Sequence, residues 1–191
     1  MKNQINIALK LFVLMTILTG ILYPLLITGI STALFREKAG GSLVIDKGII
    51  MGSALIGQAN NNPAYFWPRP SATNYNPLPS GGTNYSWTDH RLKDLVAERK
   101  ETFLKDNMLQ DSARVPVEML YASASGLDPQ ISPRAAVLQE ERIARTRNFN
   151  EDQRKKLSEL VVKMTEKPQF SLFGEQRINV FLLNLELDKI K

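Results

Sequence analysis

Hydrophobic positions are distributed very unevenly along this chain. From Leu11 to Phe35, "LFVLMTILTGILYPLLITGISTALF" carries no charge, and about 25 residues of helix span roughly 37 Å against a hydrocarbon core of about 30 Å. The pattern predicts a transmembrane helix over 11–35, a short tail over 1–10 before it, and one soluble domain over 36–191. Gly20, Thr16 and Thr28 would let a partner helix approach closely. Pro24 and Gly29, like Gly20, are better tolerated in a bilayer than in water. A cleaved signal peptide is the alternative, with Lys2 and Lys10 before the apolar run and the small residues "STA" at Ser31–Ala33 near its end. The run exceeds the about 7–15 apolar residues of such a peptide, which favours an anchor.

After "REKAGGS" the periodicity becomes that of a soluble domain. "SLVIDKGIIMGSALIGQ" holds two β-branched runs around Asp46, Lys47 and Gly48, a hairpin pattern with Gly52 and Gly57 as bulge or turn positions. "NNNPAYFWPRPSATNYNPLPSGGTNYS" follows and reads as a long loop. From Thr88 or Asp89, the positions Leu92, Leu95, Val96, Arg99 and Phe103 make one helical stripe. "RVPVEMLYAS" reads as a Pro-containing strand or turn. Ser132 as cap and Pro133 at the first turn start a second helix through "RAAVLQEERIARTR". Asn150 and Gln153 form a capping-box pattern for a third, with Leu157, Leu160, Val161 and Met164 as its apolar stripe. Gly174 separates two strand-like runs. In the second, Leu183, Leu185 and Leu187 alternate with Asn184, Glu186 and Asp188, which predicts a half-buried strand. The expected soluble fold is α+β, with a small mixed or antiparallel sheet and about three helices.

Composition narrows the chemistry. Among 191 residues there is no cysteine and one histidine, His90, so thiol catalysis, disulfides and Cys- or His-rich metal sites are excluded. The net charge of +5 is spread along the chain rather than gathered, which argues against nucleic acid as a partner. No phosphate-binding or dinucleotide-binding glycine loop is present. The stretch "ASASGLDPQISPRAA", Ala122–Ala136, is dense in polar residues, but Ser123 and Ser125 have only His90 as a possible base, and His90 sits where a surface position is expected. Asp128 before Pro129 reads as a turn. Glu140 and Glu141, adjacent on a helix, diverge and suit surface pairing with Arg142 and Arg145. In the long loop, Tyr65, Phe66, Trp67 and Arg69 admit two readings: rings that pin the loop to the domain, or anchors for a partner protein.

Several motifs recur in a known order: "LYPLL", "GSALIGQ", "YFWPRPSATNYN", "SGGTN", "VPVEMLYASASGLDPQISPRAA", "QEERIARTRN" and "INVFLLNLELD". Together they resemble the small C subunit of the Kdp potassium-transporting ATPase. Gln130, where the family often has histidine, and "NYSW" at Asn84–Trp87 depart from the pattern, both in turns. The resemblance implies an accessory, non-catalytic subunit of a bacterial inner-membrane complex for high-affinity K⁺ uptake. Its partners would be a channel-like K⁺-conducting subunit, a P-type ATPase subunit and the bilayer, with Gly20 and Pro24 of the span among the docking positions. It also implies a single-pass topology with the soluble domain outside. Charge alone leaves orientation open, because Arg36, Lys38 and Lys47 follow the span as Lys2 and Lys10 precede it.

The family is viewed as a catalytic chaperone that raises the ATP affinity of the pump subunit and supports assembly. Its nucleotide contact would fall on Gln139, beside Ser125 and Gly126, with no tightly bound cofactor and ATP shared with the ATPase subunit; the alternative for Gln139 is a helix residue that bonds the neighbouring loop. An outer domain and an inner nucleotide conflict, so an outer-face element that steadies or gates the K⁺ entrance is the alternative. From another class, a membrane-anchored envelope binding module or hydrolase would use the aromatic loop.

Overall fold

The apolar block is helical from its first turn in the computed structural model, which describes residues 2–191. Helix α1 (Lys2–Ile17) runs into a widened π turn at Leu18–Leu22 and continues as α2 (Tyr23–Leu34). The widening has a local cause. Pro24 has no N–H, and its ring crowds the carbonyl of Gly20 one turn earlier, so the ladder shifts register and Tyr23 N–H donates to the Leu18 carbonyl five residues back. Thr16 and Thr19 return their hydroxyls to the carbonyls of Phe12 and Met15, which keeps them satisfied without water. Among the described residues this is the helix long and apolar enough to cross a membrane.

The chain divides into two compact units, one ending at Ser53 and one over Ala54–Lys191. The first also contains a short helix, α3 (Arg36–Ala39), and the expected hairpin of β1 (Leu43–Asp46) and β2 (Ile49–Ser53). Lys47 and Gly48 turn it with φ of +49° and +82°, the two left-handed positions a tight hairpin requires. Pairing runs Val44 to Gly52 and then Ile45 to Ile50, so Met51 is the extra residue of a bulge.

The second unit is organised by helices. Asp89 caps α4 (His90–Asp106) by accepting from Arg91 N at 2.9 Å. A 3₁₀ turn at Val117–Met119 occupies the Pro-containing segment. Strand β3 (Gln130–Ile131) pairs antiparallel with β4 (Ile178–Asn179). Ser132 caps α5 (Pro133–Val137) with Pro133 in the first turn. Helices α6 (Glu140–Thr146) and α7 (Glu151–Met164) follow, the latter with the complete Asn150/Gln153 capping box. Helix α8 (Val180–Leu187) ends the core. Phe66, Phe103, Ile131, Ile143, Leu157, Val161, Ile178, Leu183 and Leu187 make its centre, with α7 packed on α5, α6 and α8.

The α+β class holds, with antiparallel pairing, but three local expectations are corrected. The run "VFLLNLEL" is α8 rather than a strand. Val180, Leu183 and Leu187 are buried at helical spacing, and Asn179 caps the helix through Leu182 N. The leucines fit both periods, and packing on α7 selects the helical one. The predicted helix from Pro133 is broken at Leu138–Gln139, and Gln139 turns inward at the break. With α4, α7 and α8, the Ala54–Lys191 unit therefore holds five helices rather than about three.

Candidate functional site

The break between α5 and α6 builds the most connected polar cluster of the second unit. Gln139 is fully buried. Its Nε2 donates to the carbonyls of Ala135 at 3.1 Å and Trp67 at 3.3 Å, while its Oε1 accepts from Trp67 N at 2.7 Å and Arg142 Nη2 at 2.8 Å. All four hydrogen-bonding capacities of the amide are used inside the protein.

Arg142, one turn on, is only 3 % exposed. Nε donates to Asn107 Oδ1 at 2.9 Å, and Nη1 donates to the carbonyls of Pro63 at 2.5 Å and Tyr65 at 3.0 Å. The guanidinium lies 3.8 Å from the centre of the Trp67 ring. Burial pushes its pKa down to about 10, so it stays charged at neutral pH. The surface pairing expected for Glu140, Glu141, Arg142 and Arg145 is therefore half corrected. Glu141 does bridge Arg145 and Arg154 at 2.7 and 2.6 Å, but Arg142 points inward and Glu140 accepts from Ser158 Oγ at 2.5 Å.

This cluster holds the aromatic loop down. Phe66 is at 0 % exposure, and its N–H and carbonyl both bond the amide of Asn184 on α8, at 2.8 and 2.9 Å. Tyr65 donates to Asp188 at 3.1 Å beneath Arg147, which itself binds Asp188 and the Ala64 carbonyl, each at 2.7 Å. Trp67 Nε1 donates to the Asn62 carbonyl at 3.0 Å. Of the four residues considered as anchors, Phe66 offers no surface, while Tyr65, Trp67 and Arg69 are half-buried.

The stretch Ala122–Ala136 performs a second docking task. Gly126 has φ +70°, and a Cβ there would lie 2.7 Å from Thr73 Oγ1 and 2.9 Å from the Gly81 carbonyl. Gly81 N donates to Ser125 O at 3.0 Å and Gly57 N to Leu127 O at 2.7 Å, so loop segments from both sides seat on this turn. Asp128 does more than turn the chain: its Oδ1 accepts from Gln130 N at 2.9 Å, and its Oδ2 pairs with Arg69 Nη1 at 2.6 Å. Tyr75 OH donates to the Arg69 carbonyl, and burial raises its pKa above the ordinary phenol range. Ser125 Oγ is exposed and accepts from Leu127 N at 3.1 Å. No hydrogen bond among the described residues joins Ser125 or Gly126 to Gln139, and none joins either serine to His90, whose side chain is 85 % exposed.

Between the aromatic loop and α4 lies an open cleft of about 1220 Å³. Trp67, Arg69, Tyr75, Arg99 and Arg142 line it together with Glu98 and Asp106. Arg99 donates to the Leu120 carbonyl at 2.9 Å, and burial lowers its pKa. A loop bond for Gln139 was one of the two sequence readings, but the loop is the aromatic one, and neither the burial of Arg142 against Asn107 nor the Arg69–Asp128 pair was foreseen. The one signal was the glutamine–arginine spacing of one helical turn, which also fits an exposed face. In the N-terminal unit, Gly20 lies in the π turn and Pro24 just beyond it, with open space around the Gly20 Cα.

Comparison with known proteins finds matches over nearly the whole chain. The family model described as "K+-transporting ATPase, c chain" matches residues 5–189. The potassium-transporting ATPase KdpC subunit of Variovorax paradoxus is 46 % identical over 191 residues, covering 98 % of this chain and 97 % of that protein. Its counterpart from Trichlorobacter lovleyi is 45 % identical, covering 98 % of each chain. The Leptospira interrogans protein is 43 % identical, covering 97 % of this chain and 94 % of its own. Because the match begins at residue 5, the apolar helix is part of what is shared. The chain belongs to the KdpC family, the c chain of the K⁺-transporting ATPases, as a single-pass membrane subunit of a bacterial transporter complex.

Proposed function

We propose that this chain is the accessory, non-catalytic subunit of a high-affinity, ATP-driven K⁺ uptake complex, and that it works by assembly and by presenting a rigid body on the outer face. The carrying observation is that the Gln139 amide has all four of its hydrogen-bonding capacities filled inside the protein, so it acts as a structural tie. In this reading the span packs on partner helices around Gly20 and Pro24. The second unit steadies the K⁺ entrance of the channel-like subunit, beside the P-type ATPase subunit in a bacterial inner membrane.

The cleft supports a second reading, in which this subunit raises the ATP affinity of the pump subunit. Trp67 and Tyr75 offer ring surfaces, and Arg69, Arg99 and Arg142 offer positive charge. The nucleotide would be shared with the ATPase subunit rather than bound tightly here, and Gln139 would meet it only after releasing Trp67.

One experiment separates the two. The chain has no cysteine, so Thr83→Cys supplies a unique thiol for a membrane-impermeant reagent in intact cells. Labelling from outside is the expected result, and it leaves Gln139 without access to internal ATP. Labelling only after the cells are opened would sink the outer-face reading. Truncation of residues 36–191 should abolish high-affinity uptake while the other subunits stay inserted.

A further inference from the structure

The widened turn of the membrane helix leaves one backbone group without its usual partner. In a regular helix the Thr19 carbonyl accepts from residue 23, four positions on, and in a π turn from residue 24, five positions on. Tyr23 N–H instead donates to the Leu18 carbonyl, and residue 24 is proline, which has no N–H. Among the described residues, neither ladder donor reaches the Thr19 carbonyl. The nearest hydroxyls are spent as well: Thr16 Oγ1 donates to the Phe12 carbonyl at 2.8 Å and Thr19 Oγ1 to the Met15 carbonyl at 2.7 Å.

Its place in the span makes this costly. Thr19 lies eight residues after Leu11 and sixteen before Phe35, roughly 12 and 24 Å along a helix, so its carbonyl is inside a hydrocarbon layer about 30 Å thick. Lipid tails carry no hydrogen-bond donor and water is scarce at that depth, so a bared carbonyl needs a donor from protein. Gly20 forms the other half of the same peptide, and a Cβ built there meets nothing within 4 Å. A neighbouring helix can come close at that point.

We infer that the Thr19 carbonyl accepts a hydrogen bond from a side chain on a transmembrane helix of another subunit of the same complex. The helix that crosses the span at Gly20 carries a hydroxyl, carboxamide or indole N–H at that depth. Apolar packing alone would leave the acceptor unpaired, so this bond fixes the register of the two helices as well as their contact. The inference rests on the reading of the chain as a subunit whose span packs on partner helices, and it names what that packing contains.

The test uses the full chain with threonine labelled by carbon-13 at its carbonyl and glycine by nitrogen-15. Threonine directly precedes glycine only at Thr19–Gly20 and Thr28–Gly29, so solid-state NMR shows two bonded carbonyl signals. Thr28 is the internal reference, because Thr32 Oγ1 donates to its carbonyl at 2.7 Å. With the chain alone in phosphatidylcholine–phosphatidylglycerol vesicles, the Thr19 signal should lie upfield of the Thr28 signal. On assembly with the other subunits it should move downfield, as a carbonyl does on gaining a hydrogen bond. Pro24→Ala restores the missing N–H, so its Thr19 signal should be downfield already in the chain alone. That variant should also be retained in the complex about three- to tenfold more weakly, the loss of one interhelical hydrogen bond. A Thr19 signal that stays upfield in the assembled complex would overturn the inference, as would full retention of Pro24→Ala. A downfield signal in the unmodified chain alone would overturn it too, in favour of water or a second copy as the donor. If the unmodified chain does not assemble at all, the complex reading and this inference fall together; an upfield signal on an assembled chain sinks only the inference.

Discussion

Phe66 and Phe170 sit in similar local sequences, "PAYFWP" and "KPQFSLF", each an irregular segment with proline and more than one large apolar residue. One is at 0 % exposure and the other at 87 %. The difference lies in where the backbone polar groups go. Around Phe66 they are taken by side chains from other elements: Asn184 on α8, Gln139 at the α5–α6 break and Arg142 on α6. Each buried carbonyl or amide therefore has a partner, and the ring can follow it inside. Around Phe170, among the described residues, the segment bonds its own backbone. Nothing draws it to the core. An irregular segment is buried when the rest of the fold supplies polar side chains for its backbone.

The sharpest way to break this contrast is to truncate both rings. Phe66→Ala should lower unfolding free energy by about 3–5 kcal/mol, the range for a fully buried phenylalanine. Phe170→Ala should change it by less than about 0.5 kcal/mol, as for a surface position. Urea denaturation of the full chain in detergent, followed by tryptophan fluorescence, measures both. Equal losses would contradict the contrast.

Arg142→Leu tests the polar node itself. It strands the carbonyls of Pro63 and Tyr65 and Oδ1 of Asn107 and removes one of the two donors to Gln139 Oε1, and should cost about 3 kcal/mol. Faster hydrogen exchange at Tyr65–Trp67 should accompany that loss, while the 168–174 turn stays unchanged. Gly126→Ala tests the second anchorage of the long loop. The new Cβ meets Thr73 and the Gly81 carbonyl within 3 Å at a left-handed position, so a loss of about 2 kcal/mol is expected. Protease cutting within residues 71–82 should rise in parallel.

The smallest effect concerns pH. Hydrogen bonds from Arg91 hold the half-buried Asp89 carboxyl down at about 2, against its ordinary 3.8. With a folded pKa below the unfolded one, its contribution to the α4 cap is present above the unfolded value and is lost as pH falls through the folded one. A carboxyl-carbon NMR titration should place the midpoint near 2. Arg91→Ala should return it towards the ordinary range.

What was legible along the chain is what depends on neighbours in sequence. The span follows from an uncharged run, and the hairpin turn from Asp46-Lys47-Gly48. Helix starts follow from Asp89, Ser132-Pro133 and the Asn150/Gln153 box, since a cap bonds an amide two or three residues away. The stretch Ala122–Ala136 read as turns and a helix start, and it is that; its role as a seat for two loop segments was not legible, because Gly57 and Gly81 are distant in sequence. The final leucines alternated like a strand and also recurred like a helix. Only contact with α7 decides between the two.

Sequence alone thus determined the family, the membrane helix, the α+β class and most helix starts, because each rests on composition or on bonds spanning a few residues. Tertiary structure decided which polar residues go inside. Arg142 and Gln139 have the spacing of an exposed face, yet both are buried, because three of the carbonyls they satisfy belong to Pro63, Tyr65 and Trp67, more than seventy positions away. A charged side chain enters a core only when distant backbone is brought to meet it, and no local pattern records that meeting.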